Sequence, residues 1–418
     1  MAQSASSAAA SSAAASSAAA PAPPAASAKR TWPGLRGGGS GPSPRPPLSE
    51  RLPRPWMFPL LVFAGTWLLI LATWYVTDLI YHQSNPPRWY YGFKDAGFYL
   101  GIAEHGYAWT LHAPHHSVRQ SGWAAFFPLF PLAIRLVGFL IFGHYLTAAL
   151  IVVVASGAAS ALGVWALAAR VCDRRVADRA VVLYCLFPGA MTFGMLYSEP
   201  LGIALSAVAL LALLSRRWVL AGLCGALCTA ERPDLVVIAA VLGIAALHAV
   251  WTRREWRALI APALAPLGLL AFFGYLGHRY RDYAFWFQIE RRGWGAHFDG
   301  GGHTFRVLFW QIPGISQYPV YNAILIAVAV FTVVGIGLMI AARLPVPLTL
   351  FSILVFLAVI TPSTPGVKPR LVWTAFPIFI GAAAKLPKVI FWPVVILSAA
   401  ALVYLIGWWP HHPMAPAP

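Results

Sequence analysis

Charge is scarce in this sequence, and negative charge is scarcest. Asp and Glu together number 13 in 418 residues, and 10% of the chain is charged at all, against about 25% in a soluble domain. That excludes a water-solvated globule as the bulk of the chain. Cysteine is nearly absent: Cys172, Cys185, Cys224 and Cys228 are the whole supply. None stands at a zinc or redox spacing, so no disulfide is expected. Cys224 and Cys228 lie four apart in an apolar stretch, which suits small-residue helix packing. Phosphate loops are missing too. "FDGGGH" and "GGHTF" match neither GxxxxGK[ST] nor a GxGxxG that follows a strand, so nucleotide binding is not indicated. Apolar–polar alternation is lacking, and with it the signature of a membrane barrel.

Apolar side chains are abundant. The chain is 59% hydrophobic, with a mean hydropathy of +0.68, so most of it has lipid as its solvent. Without water in the bilayer core, continuous apolar runs satisfy their backbones only as helices. The fold class expected is therefore an all-α polytopic integral membrane protein. About eleven spans are read at 57–80, 146–169, 179–197, 200–215, 218–232, 234–251, 258–276, 319–342, 346–361, 371–384 and 389–409. The segment 126–143, "FFPLFPLAIRLVGFLIFG", holds two prolines and Arg135 and is read as interfacial or re-entrant. No internal repeat is visible.

Domain limits follow composition. Residues 1–55 begin with "MAQSASSAAASSAAASSAAAPAPPAAS" and end in a basic stretch. Too few apolar side chains are present to offset ordering entropy, so a disordered cytoplasmic tail is expected. No positively charged n-region precedes an apolar h-region, and no signal peptide is expected. Residues 56–410 form the transmembrane domain, and 411–418 a short tail.

The net charge of +17 raises nucleic-acid binding, but the basic residues are scattered among short loops, as the positive-inside rule expects. Nucleic acid is not a predicted partner. The loops around 170–179, 215–218, 252–257, Arg343 and Lys385/Lys388 all fall on one side under the topology above. That side is cytoplasmic, with the N-terminus, in a cell (plasma) membrane. Ionisable residues that break the pattern gather on the other side, where a common site is plausible.

Asp95, in "GFKDAGFYLGIAEHGY", stands first among them. An external carboxylate is suited to accept the proton of an attacking hydroxyl; it equally suits the first turn of a helix running to Gly106. Nine residues turn a helix half-way round, so Asp95 and Glu104 face opposite sides and are no glycosidase-like pair. Tyr99 shares the face of Asp95. Arg232, Lys368 and Arg370 are candidates to hold a departing phosphate, with lipid-headgroup contact or helix capping as the alternative. Glu199 is a candidate for substrate binding; it also precedes Pro200 at a helix start, where an acid favours the dipole. Gln288, Trp294, His297 and Asp299 sit in a long loop, 277–318, whose aromatics suit sugar faces or a membrane interface. No metal-ligand cluster and no cofactor are indicated.

Six segments taken in order carry a resemblance: "KDAGFYLGIAEHGY", "AFFPLFPLAIRL", "LFPGAMTFGMLYSEPLGIALSAVALLAL", "RRWVLAGLCGALCTAERPDLVV", "FQIERRGWGAHF" and "PRLVWTAFPIFIGAA". Together they resemble the GT-C superfamily of polytopic glycosyltransferases, and within it the PIG-V-like mannosyltransferases, bacterial members included. The resemblance implies a GT-C-like fold whose first external loop carries short surface helices. It also implies transfer of a sugar, mannose foremost, from a polyprenyl-phosphate donor to a lipid or glycan acceptor outside the cytoplasm, with inversion. Asp95 matches the family's catalytic acid, and Arg232 and Arg370 match its external arginines. Lys94 and Phe98 replace tryptophans usual there, and Asp234 a small or polar residue, which bears on sugar and acceptor preference. The rival reading is a lipid or glycolipid transporter or flippase, or a non-catalytic protein that binds lipid-linked sugar; transporters place charges near the bilayer midplane, whereas these lie at span ends.

Overall fold

The computed structural model describes residues 50, 52–81, 95–107, 122–293, 295–309, 318–363 and 367–411. Among them the chain is almost entirely helical, with one isolated β-bridge, Phe298 to Pro362. In order, the helices are α1 (Met57–Tyr81), α2 (Asp95–His105), α3 (Leu129–Leu140), α4 (Tyr145–Val171), α5 (Arg174–Cys185), α6 (Glu199–Leu214), α7 (Trp218–Glu231) and α8 (Val237–Arg253). There follow α9 (Ile260–Leu264), α10 (Leu267–Tyr280), α11 (Phe285–Gly293), α12 (Gly302–Phe309), α13 (Pro319–Ala341), α14 (Val346–Ile360), α15 (Pro369–Trp373), α16 (Pro377–Lys385) and α17 (Lys388–Trp408). Six helical stretches are long and apolar enough to cross a membrane, and a bent pair would make a seventh. The protein is a multi-pass membrane protein.

The eleven expected spans are not matched one for one. Agreement is close for four runs: 57–80, 146–169, 319–342 and 389–409 fall on α1, α4, α13 and α17, the last continuing through Pro393. Proline divides other runs, because it donates no N–H and starts a helix better than it continues one. The run at 179–197 is α5 followed by a 3₁₀ turn at Pro188–Gly194, bent by 72°. The run at 371–384 is α15 and α16, parted before Pro377. α6, α7 and α14 are 16, 14 and 15 residues long. At 1.5 Å per residue α6 is about 24 Å and α7 about 21 Å, short of the roughly 30 Å hydrocarbon core. The segment at 126–143 yields α3, 12 residues long. The long loop read at 277–318 contains α11 and α12 instead of irregular chain. The tail expected at 1–55 lies almost wholly outside the described residues.

Small residues let the broken elements close on one another. Trp373 stacks flat on Tyr184, with ring centroids 4.6 Å apart, and its Nε1 donates to the Tyr184 carbonyl at 3.0 Å. Tyr184 in turn donates to Ser160 Oγ at 2.8 Å. Gly189 lies beneath this joint. A Cβ there would stand 2.6 Å from the Pro369 carbonyl oxygen and 2.7 Å from Trp373 Cγ, and would also strike Trp373 Cβ. Gly189→Ala is therefore expected to displace α15 at a cost of about 1–3 kcal/mol, the range for overpacking. A chemical unfolding curve in detergent micelles checks this; an unchanged midpoint would mean that the joint yields freely.

Candidate functional site

Four segments end at one place. α2 begins with Asp95, and α6 begins with Glu199 just after Ser198. α7 ends at Glu231, where Pro233 forces Arg232 into an extended conformation, φ −153° and ψ 143°. α15, anchored by Trp373, presents Arg370. The side chains form a continuous ionic chain. Arg370 Nη2 lies 2.8 Å from Asp95 Oδ2, and its Nη1 lies 3.1 Å from Glu199 Oε1. That same Glu199 oxygen is 2.8 Å from Arg232 Nη1. Arg232 closes the chain with a fork onto Asp234, Nε to Oδ1 at 2.9 Å and Nη2 to Oδ2 at 3.4 Å. The order is Asp95–Arg370–Glu199–Arg232–Asp234.

Burial sets the energetics. Glu199 is 0% exposed, and the side chains of Arg370, Arg232, Asp95 and Asp234 retain between 10% and 18%. Buried charges persist only when paired and hydrogen-bonded, and here three carboxylates face two guanidiniums. The Arg370 guanidinium also lies 4.7 Å over the Tyr197 ring, a cation–π contact that fixes its plane. An anion arriving at Arg370 therefore meets a cation already held by carboxylates and must displace one of them.

Tyr99, one turn beyond Asp95, points the same way. Its hydroxyl and Ser198 Oγ are 2.9 Å apart, and Ser198 Oγ lies 3.5 Å from Arg232 Nη1. The ring is packed edge-on against Phe126 and Phe130. Burial, with a further push from Glu199, holds the Tyr99 phenol well above its usual range, so it keeps its proton and serves as a hydrogen-bonding group. Glu104 lies elsewhere, half-buried and 3.5 Å from exposed His105, as the helical rotation requires.

Gln288, Asp299 and His297 are held by contacts outside the ionic chain. Lys368 is partly buried at the entry to α15, two residues before Arg370. Gln288 on α11 donates to Asp282, a bond within its own segment. Asp299 accepts from the backbone N–H groups of Gly301 and His303 at 2.9 and 2.7 Å, and the Ser363 hydroxyl lies 3.1 Å from His297 Nδ1; both are loop-stabilising contacts. Trp294 and Lys94 lie outside the described residues. Among those described, no group of three His, Cys, Asp or Glu is arranged to hold a metal ion.

Glu199, a candidate for substrate binding as well as for the helix start, joins two arginines through its carboxylate. Three further acids are not among the expected site residues. Asp234 is the second anchor of Arg232. Glu231 is 1% exposed and lies over Gly202, where a Cβ would come 2.6 Å from its Oε2. The signal was "ERPD", an arginine between two acids at a helix break. Glu290 is another. α11 is held by Ile289, buried among Phe127, Phe272 and Leu276, and by Trp286 Nε1 donating to the Ala125 carbonyl at 3.3 Å.

Burial, with the negative charge of Asp95 adding to it, pushes the Glu290 carboxyl up to about 7 from 4.5. A carboxyl raised on folding adds stability below its unfolded value and loses it as pH rises through its folded value. The unfolding midpoint of the wild type should therefore fall between pH 4.5 and about 7 relative to Glu290→Gln. Parallel thermal scans of the two proteins across that window check it, and superimposable pH dependences would refute it.

No protein-family profile matches the sequence, and no curated protein sequence does. Solved structures do match in shape. ArnT from Cupriavidus metallidurans, in a crystal structure bound to undecaprenyl phosphate, aligns at 15% identity with a TM-score of 0.51, over 82% of this chain and 62% of that one. The oligosaccharyltransferase of Archaeoglobus fulgidus, tethered to an acceptor peptide, aligns at 15% identity with a TM-score of 0.47, over 84% of this chain and 54% of that one. The chain thus spans somewhat over half the length of these proteins. The likeness to ArnT is one of fold, and the GT-C-like helical membrane architecture expected from the sequence is the architecture observed.

Proposed function

We propose that this protein is a membrane glycosyltransferase that moves a sugar, mannose foremost, from a polyprenyl-phosphate donor to a hydroxyl of a lipid or glycan acceptor on the non-cytoplasmic side. The observation that carries the reading is the 2.8 Å contact between Asp95 and Arg370. A carboxylate and a guanidinium side by side at the end of a helical bundle suit the roles of proton acceptor and anion-binding group. ArnT, of the same fold, was crystallised with undecaprenyl phosphate, which supports the donor class. The PIG-V-like motifs support the choice of mannose.

In the reaction, the donor phosphate takes Arg370 Nη2, with Arg232 and Lys368 adding positive charge nearby. Asp95, no longer held by Arg370, accepts the proton of the acceptor hydroxyl. That oxygen bonds to the anomeric carbon as the carbon–phosphate oxygen bond breaks, and the electron pair leaves on the polyprenyl phosphate. One displacement inverts the anomeric centre. The Asp95–Arg370 pair of the ligand-free protein is then a masked form of the base, opened by the donor itself. A transporter reading is disfavoured by the same geometry, because the ionic chain sits where α2, α6, α7 and α15 begin or end.

The decisive experiment reconstitutes purified protein with radiolabelled polyprenyl-phosphate mannose and candidate acceptors, and follows label transfer and product anomer. Transfer with inversion supports the proposal. If no sugar moves to any acceptor and Asp95→Ala leaves cellular glycolipids unchanged, the proposal fails.

A further inference from the structure

A second cluster of arginines lies at the opposite end of the same helices. α6 ends in a Schellman turn: the Arg217 N–H donates to the Ala212 carbonyl at 2.8 Å and the Arg216 N–H to Leu213 at 3.0 Å. Arg216 occupies the left-handed position, φ +55°, which glycine takes without a Cβ penalty. Trp218 opens α7 and donates from Nε1 to Glu255 Oε1 at 2.9 Å, and Arg216 Nη1 lies 4.0 Å from Glu255 Oε2. Beside these contacts lies a cavity of about 430 Å³ whose lining includes Arg216, Arg217 and Arg257 together with Val219, Leu223 and Ile260. Among the described residues, Arg217 and Arg257 have no carboxylate partner, so Glu255 leaves the cavity with surplus positive charge.

The basic and the apolar lining residues differ in what they suit. Val219, Leu220, Leu223 and Leu227 are outward-facing on α7 and extend the apolar lining down the helix toward the bilayer centre. Trp251 and Trp256 nearby are 91% and 67% exposed, which marks this level as the membrane interface. Guanidiniums at headgroup depth above an aliphatic strip match an acidic phosphodiester carrying acyl chains. A free anion would use the arginines and leave the strip idle. We infer that this cavity is a binding site for an anionic phospholipid in the leaflet at the basic end of the protein, separate from the ionic chain at the other end.

Native mass spectrometry of the full-length protein, delipidated and titrated with phosphatidylglycerol or phosphatidylcholine, tests this. Wild type is expected to prefer phosphatidylglycerol, Arg217→Gln/Arg257→Gln to lower its affinity about tenfold or more, and phosphatidylcholine binding to stay unchanged. Leu223→Asn, which leaves every arginine in place, is expected to weaken phosphatidylglycerol as well, and inorganic phosphate is expected not to displace the lipid. Equal retention of the two lipids by wild type, or full retention of phosphatidylglycerol by the double variant, overturns the inference. Displacement by inorganic phosphate alone also overturns it, by showing a free-anion site.

Discussion

Asp95→Asn should abolish sugar transfer and leave the fold intact. The amide keeps the size of the carboxylate and an oxygen for Arg370 Nη2, now 2.8 Å from Asp95 Oδ2, but it cannot take a proton. Loss of a positioned general base lowers rates about 10²- to 10⁴-fold, and the turnover of Asp95→Asn is expected in that range below wild type. Asp95→Glu carries the carboxyl one methylene further out. Since a misplacement of about 1 Å costs on the order of 100-fold, it should fare little better. The readout that separates a base from a mere binding group is the division between kcat and KM. A base makes its difference in the transition state, so kcat falls, while donor KM does not rise and is expected to fall, because an amide competes less with the donor phosphate for Arg370. Asp95→Asn protein with more than a tenth of wild-type turnover would remove Asp95 from the chemistry.

The largest stability effect belongs to Glu199, and it holds whatever reaction the protein performs. One carboxylate oxygen at the centre of the buried chain accepts from both Arg232 and Arg370. Glu199→Ala leaves two buried guanidiniums short of a counter-charge. Breaking a buried pair from one side costs about 3–5 kcal/mol, a large share of a typical protein's net stability. Glu199→Gln restores an acceptor without the charge and should lose less. Contacting groups are not additive, with couplings of about 0.5–3 kcal/mol, so Glu199→Ala/Arg370→Ala should be less unstable than its two single losses summed. Unfolding in mixed micelles of these three variants and Arg370→Ala, each against wild type, measures the losses. A loss under about 1 kcal/mol for Glu199→Ala, or strict additivity, would show that water or lipid compensates the arginines.

Much of this was legible in the residues, and what was not has identifiable physical causes. α1, α4, α13 and α17 could be read because uninterrupted apolar runs in lipid have one solution. The breaks at Pro188 and Pro377 could not be placed by hydropathy, since Pro188–Gly194 and Pro377–Ala383 are buried on all sides and look equally apolar whether the helix runs on or bends. At the site, charge at span ends picked out Asp95, Glu199, Arg232 and Arg370 one by one. Their mutual pairing was hidden, because the partners lie up to 275 residues apart, from Asp95 to Arg370. Glu231 was not singled out, and Asp234 was read only as a departure bearing on sugar and acceptor preference, because spacing alone does not show which way the break at Pro233 turns Arg232. Gln288 was singled out for its aromatic company, and that company packs α11 against Phe127 and Phe272 instead of leading to the ionic chain.

The shortness of α6 and α7 reaches beyond the protein itself. α7 turns Val219, Leu220, Leu223 and Leu227 outward along a helix of about 21 Å, so on this flank the lipid meets a hydrophobic belt thinner than the bilayer. Lipids beside such a belt compress, at a fraction of a kcal/mol per Å of mismatch. The strain draws the headgroup planes of the two leaflets together along α6 and α7. Hydrophobic mismatch thus brings the polar surface toward the ionic chain at one end of these helices and toward the arginine cavity at the other, and it favours residence in thin regions of the membrane.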